Sequence, residues 1–162
     1  MSKIIRVIGE INDESFAIFS EQLEELESKG KTVTIELCSH GGDAHAALAF
    51  SARMRRSSAS ITVIAYGYVA SAAVLILATG KVRMMTKEAW VMVHEDSGTL
   101  EFDSTTGAKR EVDQFIRMEE QWNELLALYT DTPAIEWSIM HKDTTHLSAD
   151  ACLRLGLVDK VI

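Results

Sequence analysis

Segments rich in β-branched residues alternate with segments of helical periodicity, and this alternation constrains the fold more than any other feature of the sequence. A strand predicted at residues 3–8 precedes a helix predicted at 13–28, where apolar residues recur every three to four positions. Residues 32–37 and 60–65 predict two further strands, each followed by another helix. Short strand–helix units favour right-handed crossovers and a largely parallel sheet covered by helices. The sequence therefore predicts an α/β fold.

The rest of the chain continues the alternation without a linker, a low-complexity segment or a long internal repeat. The same criteria predict further helices and strands at 43–56, 71–78, 81–85, 90–94, 109–129 and 148–155. Pro133, the only proline, is expected to open a short helix. Residues 96–106 are polar and predict an excursion from the sheet. A chain of 162 residues then fits a single domain, 1–162.

The net charge and the cysteine content indicate which binding partners and which cellular compartment to expect. A net charge of −8 argues against nucleic acid or an anionic membrane surface as the main partner, because both require clustered Lys and Arg. Cys38 and Cys152 are far apart in apolar contexts, which favours reduced thiols over a secreted disulfide scaffold. The longest apolar run, 69–79, is about half of the roughly 20 residues that a membrane span needs. We therefore expect a soluble cytoplasmic protein.

Two turns from a strand into a helix carry the residues that suggest chemistry. In the first, 39–43, two glycines allow close backbone approach and free N–H groups mark a helix start. In the second, 67–73, Ser71 stands at the start of an apolar helix, where a serine is most often only a cap. Small residues on both sides leave room for a substrate, so we predict that Ser71 is a nucleophile. The N–H groups of Gly42 and Ala72 would then form an oxyanion hole.

A serine nucleophile needs a base, and His94 is the candidate. It ends the apolar segment 90–93 and is expected at the carboxyl edge of the sheet, where sites form in α/β proteins. A single histidine at a strand end is more often structural, but the nearby serine turn favours a catalytic role. The other four histidines lie in loops or helices and are expected at the surface: His40, His45, His141 and His146.

Four blocks of residues, in order along the chain, resemble one protein family. Gly-Tyr-Val-Ala-Ser-Ala-Ala-Val-Leu-Ile-Leu-Ala-Thr-Gly at 67–80 resembles the nucleophile segment of the Clp protease proteolytic subunit. Val-Met-Val-His at 91–94 is similar to the histidine strand of that family, and Ser-His-Gly-Gly at 39–42 to its Ser-Pro-Gly-Gly turn. The block at 147–159 is similar to its C-terminal block.

The resemblance implies a Clp/crotonase-type fold, a repeated ββα superhelix with a largely parallel sheet. It also implies a projecting handle, which includes the helix predicted at 109–129 and occupies about residues 96–132. The implied activity is that of a serine endopeptidase acting on peptides or unfolded proteins, with no cofactor and no metal. In that family two heptameric rings join through their handles, so a homo-oligomer of fourteen subunits that encloses the active sites is expected.

The third member of the catalytic triad is where the match is weakest. Alignment of the 147–149 block without gaps places Thr144 at the position of the acid, and a shift of one residue places Asp143 there. Asp143 is the only carboxylate in the segment 140–146. The resemblance therefore implies a triad of Ser71, His94 and Asp143, with a missing or substituted acid as the alternative.

Two further departures from the family pattern bear on function. His40 stands where the family has proline and Asp43 where it has a small polar residue, which is expected to alter the oxyanion loop or the polarity of a subsite. The sequence begins at the first predicted strand, so the axial loops of the family are expected to be absent. The use of an ATPase unfoldase as a partner stays open.

The predicted long helix also bears on assembly. It carries Phe115, Trp122, Leu125 and Tyr129, which is more apolar surface than a lone projecting helix should expose to water. We therefore expect a homo-oligomer, in agreement with the stacked rings that the resemblance implies.

Three other functions remain alternatives. An acyl-CoA hydratase or isomerase of the crotonase type would use the oxyanion hole without a nucleophile, and Ser71 and His94 argue against it. A serine–lysine peptidase would need a lysine in place of His94. A catalytically silent ring subunit or scaffold stays possible because the acid is not fixed. Labelling with a fluorophosphonate discriminates these classes, since only an activated serine reacts.

Overall fold

The computed structural model describes residues 3–30, 32–95 and 103–162. The strands in these ranges are β1 (Ile4–Ile11), β2 (Thr32–Gly42), β3 (Ser60–Ala70), β4 (Val82–Met85), β5 (Trp90–Val93), β6 (Thr145–Ser148) and β7 (Lys160–Val161). The helices are α1 (Asp13–Ser28), α2 (Ala44–Arg55), α3 (Ala72–Thr79), α4 (Thr105–Tyr129), α5 (Ala134–Lys142) and α6 (Ala149–Arg154). The predicted alternation of strands and helices is confirmed. Most of the predicted excursion at 96–106 lies outside the described residues.

The sheet is mostly parallel, as the sequence predicts. Its main path runs β1-β2-β3-β4-β7, and all neighbours on this path are parallel. β3 has a second parallel neighbour, because its residues 62–65 pair with β4 and its residues 68–70 pair with β5. β6 joins β5 in the antiparallel sense. β3 is thus the strand that connects the two parts of the sheet, and its carboxyl end leads directly into α3.

Most of the hydrophobic core lies against one face of this sheet. Alternate residues of β2 are buried, as expected for a strand in which successive side chains point to opposite faces. α3 differs from the other helices, because all of its residues at 72–78 are buried. A helix that is apolar on every side belongs inside a protein rather than on its surface. The residue before α3, Ser71, is therefore held by an element that the core encloses.

Local contacts fix the starts of the first two helices and their relative position. Asn12 and Ser15 form a reciprocal capping box at the start of α1. Asp43 caps α2 by accepting the N–H of Ala46 at 2.7 Å, which gives this departure from the family pattern a structural role. Arg53 of α2 donates to Glu27 of α1 at 2.8 Å, and both side chains are mostly buried. The two helices are therefore joined by an ion pair as well as by apolar packing.

Strands β2 and β3 extend further than predicted, through segments expected to be turns. β2 ends at Gly42 rather than near residue 37, and β3 ends at Ala70 rather than near residue 65. Each extension follows an irregularity in the pairing, between Ile8 and Glu10 in the ladder of β1 with β2 and between Leu37 and Ser39 in the ladder of β2 with β3. Such bulges let the chain bend and still keep its interstrand hydrogen bonds.

The exposed apolar residues of α4 are not those on which the prediction of an oligomer was based. Trp122, Leu125 and Tyr129 pack against the core, and Phe115 is half-buried. The residues that are exposed instead are Val112 at 45%, Ile116 at 49% and Leu128 at 69%. The helix does present apolar surface to solvent, but through a different stripe. No helix in the described ranges combines the length and the apolar character needed to cross a membrane.

Candidate active site

Ser71 lies at a strained turn between β3 and α3. Its φ is 53° and its ψ is −126°, a backbone conformation that residues other than glycine rarely adopt. Its N–H donates to the carbonyl of Met92 in β5 at 2.8 Å, so the neighbouring strand holds the turn in place. The side chain occupies the cap position of α3 but makes no capping hydrogen bond. The hydroxyl is therefore not used as an ordinary helix cap.

The glycine turn at the end of β2 packs directly against Ser71. A Cβ built on Gly41 would lie 2.7 Å from both the Ala70 carbonyl oxygen and Ser71 Cβ, and 3.0 Å from the Ala72 nitrogen. At Gly42 a Cβ would lie 2.2 Å from the carbonyl oxygen of Ile11 in β1. Of the two glycines, Gly41 is thus the one in contact with Ser71 and Ala72, while Gly42 packs on β1. Both positions exclude any side chain.

A residue that the sequence analysis did not single out holds this turn. Ser39 is 2% exposed, and its hydroxyl donates to the Gly9 carbonyl at 2.5 Å. The same oxygen accepts the Gly41 N–H at 3.0 Å. Ser39 therefore fixes Gly41 against the bulge in β1. The signal available in the sequence was a serine two residues before a glycine, a spacing typical of local side-chain-to-backbone bonds.

His94 follows the end of β5, at the edge of the sheet where the sequence predicts it. Its Nδ1 is hydrogen-bonded to the carbonyl oxygen of Glu95. Because a carbonyl oxygen only accepts, Nδ1 is the donor in this bond, and the neutral ring that makes it has its lone pair on Nε2. His94 and Ser71 line the same cavity. Within the described part of the chain, no hydrogen bond joins the Ser71 hydroxyl to the imidazole.

Asp143 lies in the turn between α5 and β6, and its side chain is exposed. It is not among the residues that line the cavity. The turn itself is close to His94, because the His141 carbonyl accepts the N–H of Glu95 at 3.0 Å and that of Thr144 at 3.1 Å. Thr144 has a φ of 50°. The structure thus brings the backbone beside Asp143 to the segment after His94, and the carbonyl of Glu95 occupies the Nδ1 position.

The cavity beside Ser71 is closed on its far side by two helices that the sequence analysis did not connect with the site. Its walls come from α2, α4, α5 and the end of β5, with these residues: Ala44, Leu48, Ser71, Ala72, His94, Glu95, Met118, Glu119, Trp122, Asn123, Ser138, His141 and Lys142. In α5 the lining residues are three and four positions apart, as one face of a helix requires.

His141 corrects one expectation of the sequence analysis. It was expected at the surface, but it is half-buried and lines the cavity. Its Nδ1 donates to the Trp137 carbonyl at 2.7 Å, as a residue four positions later in a helix can do. His45 and His146 are exposed, as predicted. His40 is also exposed, and its ring packs edge-on against Tyr68 with 5.3 Å between the ring centroids.

Both cysteines are free thiols in the described ranges. Burial raises the pKa of the Cys152 thiol to about 12, so this side chain stays protonated at neutral pH. Cys38 is half-buried and forms no disulfide. Among the residues that the structure describes, no group of three or more His, Cys, Asp or Glu side chains is arranged to hold a metal ion.

Comparison with known proteins identifies a family and solved structures of similar fold. The sequence model of a family described as Clp protease matches residues 1–162. The fold is similar to that of a ClpP1 mutant from Listeria monocytogenes, with a TM-score of 0.90 and 26% sequence identity. The alignment covers 99% of this chain and 91% of the Listeria chain. The crotonase-like α/β fold implied by the sequence blocks is thereby confirmed.

Proposed function

Since the chain belongs to the Clp protease family, we propose that it is a serine endopeptidase with Ser71 as nucleophile and His94 as general base. One observation carries this proposal: Ser71 sits in a strained turn, its hydroxyl does not cap α3, and it shares a cavity with His94. Strain at a residue with no structural use for its side chain is typical of functional sites. The family also favours peptide hydrolysis over the crotonase-type alternative.

In the first step, Ser71 Oγ attacks the carbonyl carbon of the scissile peptide bond and its proton passes to His94 Nε2. Nε2 is the nitrogen that lacks a proton when Nδ1 donates to Glu95. The negative charge that develops on the carbonyl oxygen is stabilised by the N–H groups of Ala72 and Gly42. The C–N bond then breaks, and His94 returns its proton to the leaving amine. Water hydrolyses the acyl-enzyme by the same sequence of proton transfers.

We propose Asp143 as the third member of the site. A carboxylate on Nδ1 fixes the tautomer and also stabilises the imidazolium formed during attack, whereas a neutral carbonyl supplies only the first effect. The support for Asp143 is its position, because its turn is hydrogen-bonded through His141 to the residue after His94. The role requires Nδ1–H to exchange the Glu95 carbonyl for the Asp143 carboxylate when the site is assembled with substrate.

The proposed setting is a cytoplasmic homo-oligomer of stacked rings that admits peptides or unfolded proteins to an internal chamber. The single domain 1–162 would contribute the region near residues 96–132 as a handle between rings. The exposed apolar residues of α4 support this arrangement, because such a stripe is costly to leave in water. An ATPase unfoldase is not part of the proposal.

A catalytically silent ring subunit is the second candidate. It is favoured by the exposed position of Asp143 and by the engagement of His94 Nδ1 with a backbone carbonyl. Such a subunit would keep the fold and the assembly surface but would not activate Ser71.

Reaction with a fluorophosphonate, followed by mapping of the labelled peptide, separates the two candidates. The peptidase is expected to be labelled at Ser71 and to cleave an unstructured peptide, while Ser71→Ala loses both properties and keeps the thermal transition of the wild type. Ser58→Ala, which alters an exposed serine that does not line the cavity, serves as the control and should react normally. Absence of labelling in the folded wild type would favour the silent subunit.

A further inference from the structure

Ser39 carries a buried hydroxyl that the proposed reaction does not use. The residue is 2% exposed, its Oγ donates to the Gly9 carbonyl at 2.5 Å, and the same oxygen accepts the Gly41 N–H at 3.0 Å. The two partners belong to neighbouring strands, since Gly9 lies in β1 and Gly41 in β2. One serine side chain therefore bridges the backbones of these strands beside the turn that holds Ser71.

The register of the ladder between β1 and β2 identifies the backbone bond that this bridge interrupts. Residues 39 and 40 of β2 stand opposite the single residue Gly9 of β1, which is a bulge. After the bulge, the Asp43 N–H donates to the Ile11 carbonyl at 2.8 Å. Two residues earlier in both strands, the equivalent bond would join the Gly41 N–H to the Gly9 carbonyl. The serine hydroxyl lies between these two groups and bonds to both.

The inserted hydroxyl sets the distance of Gly41 from β1. A direct bond would bring the Gly41 nitrogen and the Gly9 oxygen to about 2.9 Å. With the hydroxyl between them, Gly41 instead packs on the serine turn, where a Cβ built on it would lie 2.7 Å from Ser71 Cβ and 3.0 Å from the Ala72 nitrogen. Ser39 therefore holds the glycine turn in contact with the proposed nucleophile.

Two bound N–H groups flank the one that the proposed reaction uses. The Gly41 N–H is held by Ser39 and the Asp43 N–H by the Ile11 carbonyl, and the N–H of Gly42 lies between them in the chain. A donor to the oxyanion has to reach the position at which the charged oxygen forms. A displacement of about 1 Å at such a site is enough to lower the rate by about a hundredfold.

We propose that Ser39 is a positioning residue for the oxyanion hole, because its hydroxyl, inserted into the ladder, fixes the place of the Gly42 N–H. The proposal rests on the proposed function, since it concerns the same site. Loss of the hydroxyl lets the Gly41 N–H bond directly to the Gly9 carbonyl, which draws the glycine turn away from Ser71. The Gly42 N–H stabilises a charge that exists only after attack on the substrate, so the effect falls on kcat rather than on KM.

Steady-state hydrolysis of an unstructured peptide by Ser39→Ala tests the role. We expect kcat to fall by about tenfold to a hundredfold and KM to change by less than about twofold. Ser51→Ala is the matched control, because Ser51 is 1% exposed, its hydroxyl accepts from Thr79 at 2.8 Å, and it does not line the cavity. It should keep the wild-type kcat. An unchanged kcat in Ser39→Ala, or an equal loss in both variants, overturns the role of Ser39.

A peptide boronate separates oxyanion stabilisation from other causes of a lower kcat. Ser71 Oγ adds to the boron atom and its proton passes to His94, so the tetrahedral adduct carries a negative charge. The inhibition constant should rise in Ser39→Ala by the factor by which kcat/KM falls. Ser39→Cys should behave in the same way and serves if Ser39→Ala does not fold, because a thiol is only a weak donor and acceptor. An inhibition constant that stays at the wild-type value while kcat falls contradicts the proposal.

A crystal structure of the wild-type protein with the boronate tests the geometry without a substitution. We expect a boronate oxygen within about 3.2 Å of the Gly42 nitrogen and both hydrogen bonds of Ser39 retained. A boronate oxygen out of reach of the Gly42 N–H overturns the positioning role and leaves the peptidase assignment intact. A wild type that neither cleaves the peptide nor reacts with the boronate or the fluorophosphonate removes the proposed function and the positioning role together.

Discussion

The backbone of Ser71 is held from two sides by neighbouring strands. The Met92 carbonyl of β5 accepts its N–H, and Gly41 of β2 packs against its Cβ. A positive φ at a residue other than glycine costs roughly 1–2 kcal/mol, so these contacts must outweigh the strain. The reactive position is therefore set by the packing of glycine against serine, and it is sensitive to one added methyl group.

We predict that Gly41→Ala abolishes peptide hydrolysis and fluorophosphonate labelling. The added Cβ would lie 2.7 Å from Ser71 Cβ and from a backbone oxygen, so the serine turn has to move. Gly9→Ala is the matched control, because Gly9 has a φ of 90° against 96° for Gly41 but has no atom within 4 Å of the added Cβ. The control should lose roughly 1–2 kcal/mol of stability and keep its activity. Equal activity in the two variants would refute the contact as the cause.

For Asp143→Asn we predict a loss of kcat of roughly ten-thousand-fold, the magnitude found when the acid of a serine protease triad is replaced. The reason is that an amide cannot stabilise the imidazolium and favours the wrong tautomer. Stopped-time peptide hydrolysis measures the effect, with Asp150→Asn as the control because Asp150 is an exposed carboxylate in α6. A loss below about tenfold would mean that the Glu95 carbonyl orients His94 unaided.

The residues at strand ends were predictable, and those on distant helices were not. Ser71 and His94 follow β-rich segments, so their meeting at one edge of the sheet follows from parallel pairing. Asn123 and His141 line the same cavity but belong to helices that start more than thirty residues after β3. The local sequence of a helix does not predict which other elements its faces will pack against. The exposed position of Asp143 likewise depends on how α5 ends.

At the scale of elements, α1 and α2 are locked by a partly buried ion pair. Glu27 receives two hydrogen bonds from the Arg53 guanidinium, at 2.8 and 3.2 Å, and a third from the Ser58 N–H. The bidentate contact with Arg53 holds the pKa of Glu27 at about 2, well below its usual value. Through these three hydrogen bonds, Glu27 connects the ends of α1 and α2 to the segment that precedes β3.

We predict that Glu27→Gln lowers the free energy of unfolding by about 1–3 kcal/mol at pH 7. Because the pKa of Glu27 is about 2 in the folded state and near 4.5 otherwise, its contribution is present above pH 4.5 and is lost as the pH falls towards 2. The difference between wild type and variant should shrink over that window. Urea unfolding at several pH values measures it, with the exposed Glu21→Gln as control. A constant difference would exclude the ionised pair as its source.

Predictions for elements succeeded where periodicity was strong and failed where pairing decided the outcome. The helix predicted at 13–28 has the bounds of α1, because its apolar residues and its cap are local. The ends of β2 and β3 were missed, since glycine-rich segments suggest turns but here remain paired through bulges. β6 was also missed, because its pairing with β5 joins residues more than fifty positions apart.

At the scale of the molecule, α4 and α5 each leave apolar residues in solvent at a regular helical spacing. Val112 and Ile116 of α4 are one helical turn apart, and Ile135 and Ile139 of α5 repeat this spacing with 67% and 53% exposure. Regular spacing produces a stripe rather than scattered residues. A stripe of this kind is suited to contact with another helix of the same assembly.

We predict that the wild type sediments as an oligomer at micromolar concentration and that the double variant Val112→Glu/Ile116→Glu sediments as a smaller species. Two carboxylates on the stripe would have to be desolvated in a helix-to-helix contact, which is unfavourable. Gln114→Glu adds a charge to the same helix at an exposed polar position and should keep the wild-type sedimentation. A monomeric wild type would contradict the assembly.

Strand β3 pairs with strands on both sides, so we expect it to be more rigid than the helices α4 and α5. Residues 62–65 and Val69 of β3 pair with strands on both sides, so their amides should be among the last to exchange with deuterium. Of the residues of α4 and α5, only Leu126 and Trp137 are fully buried, so these helices should exchange earlier. Ser71, the proposed nucleophile, thus follows the rigid strand β3. The cavity wall that faces the substrate belongs to the less protected helices α4 and α5. A rise in temperature should therefore reduce the selectivity between substrates before it lowers the rate at which any one of them is cleaved.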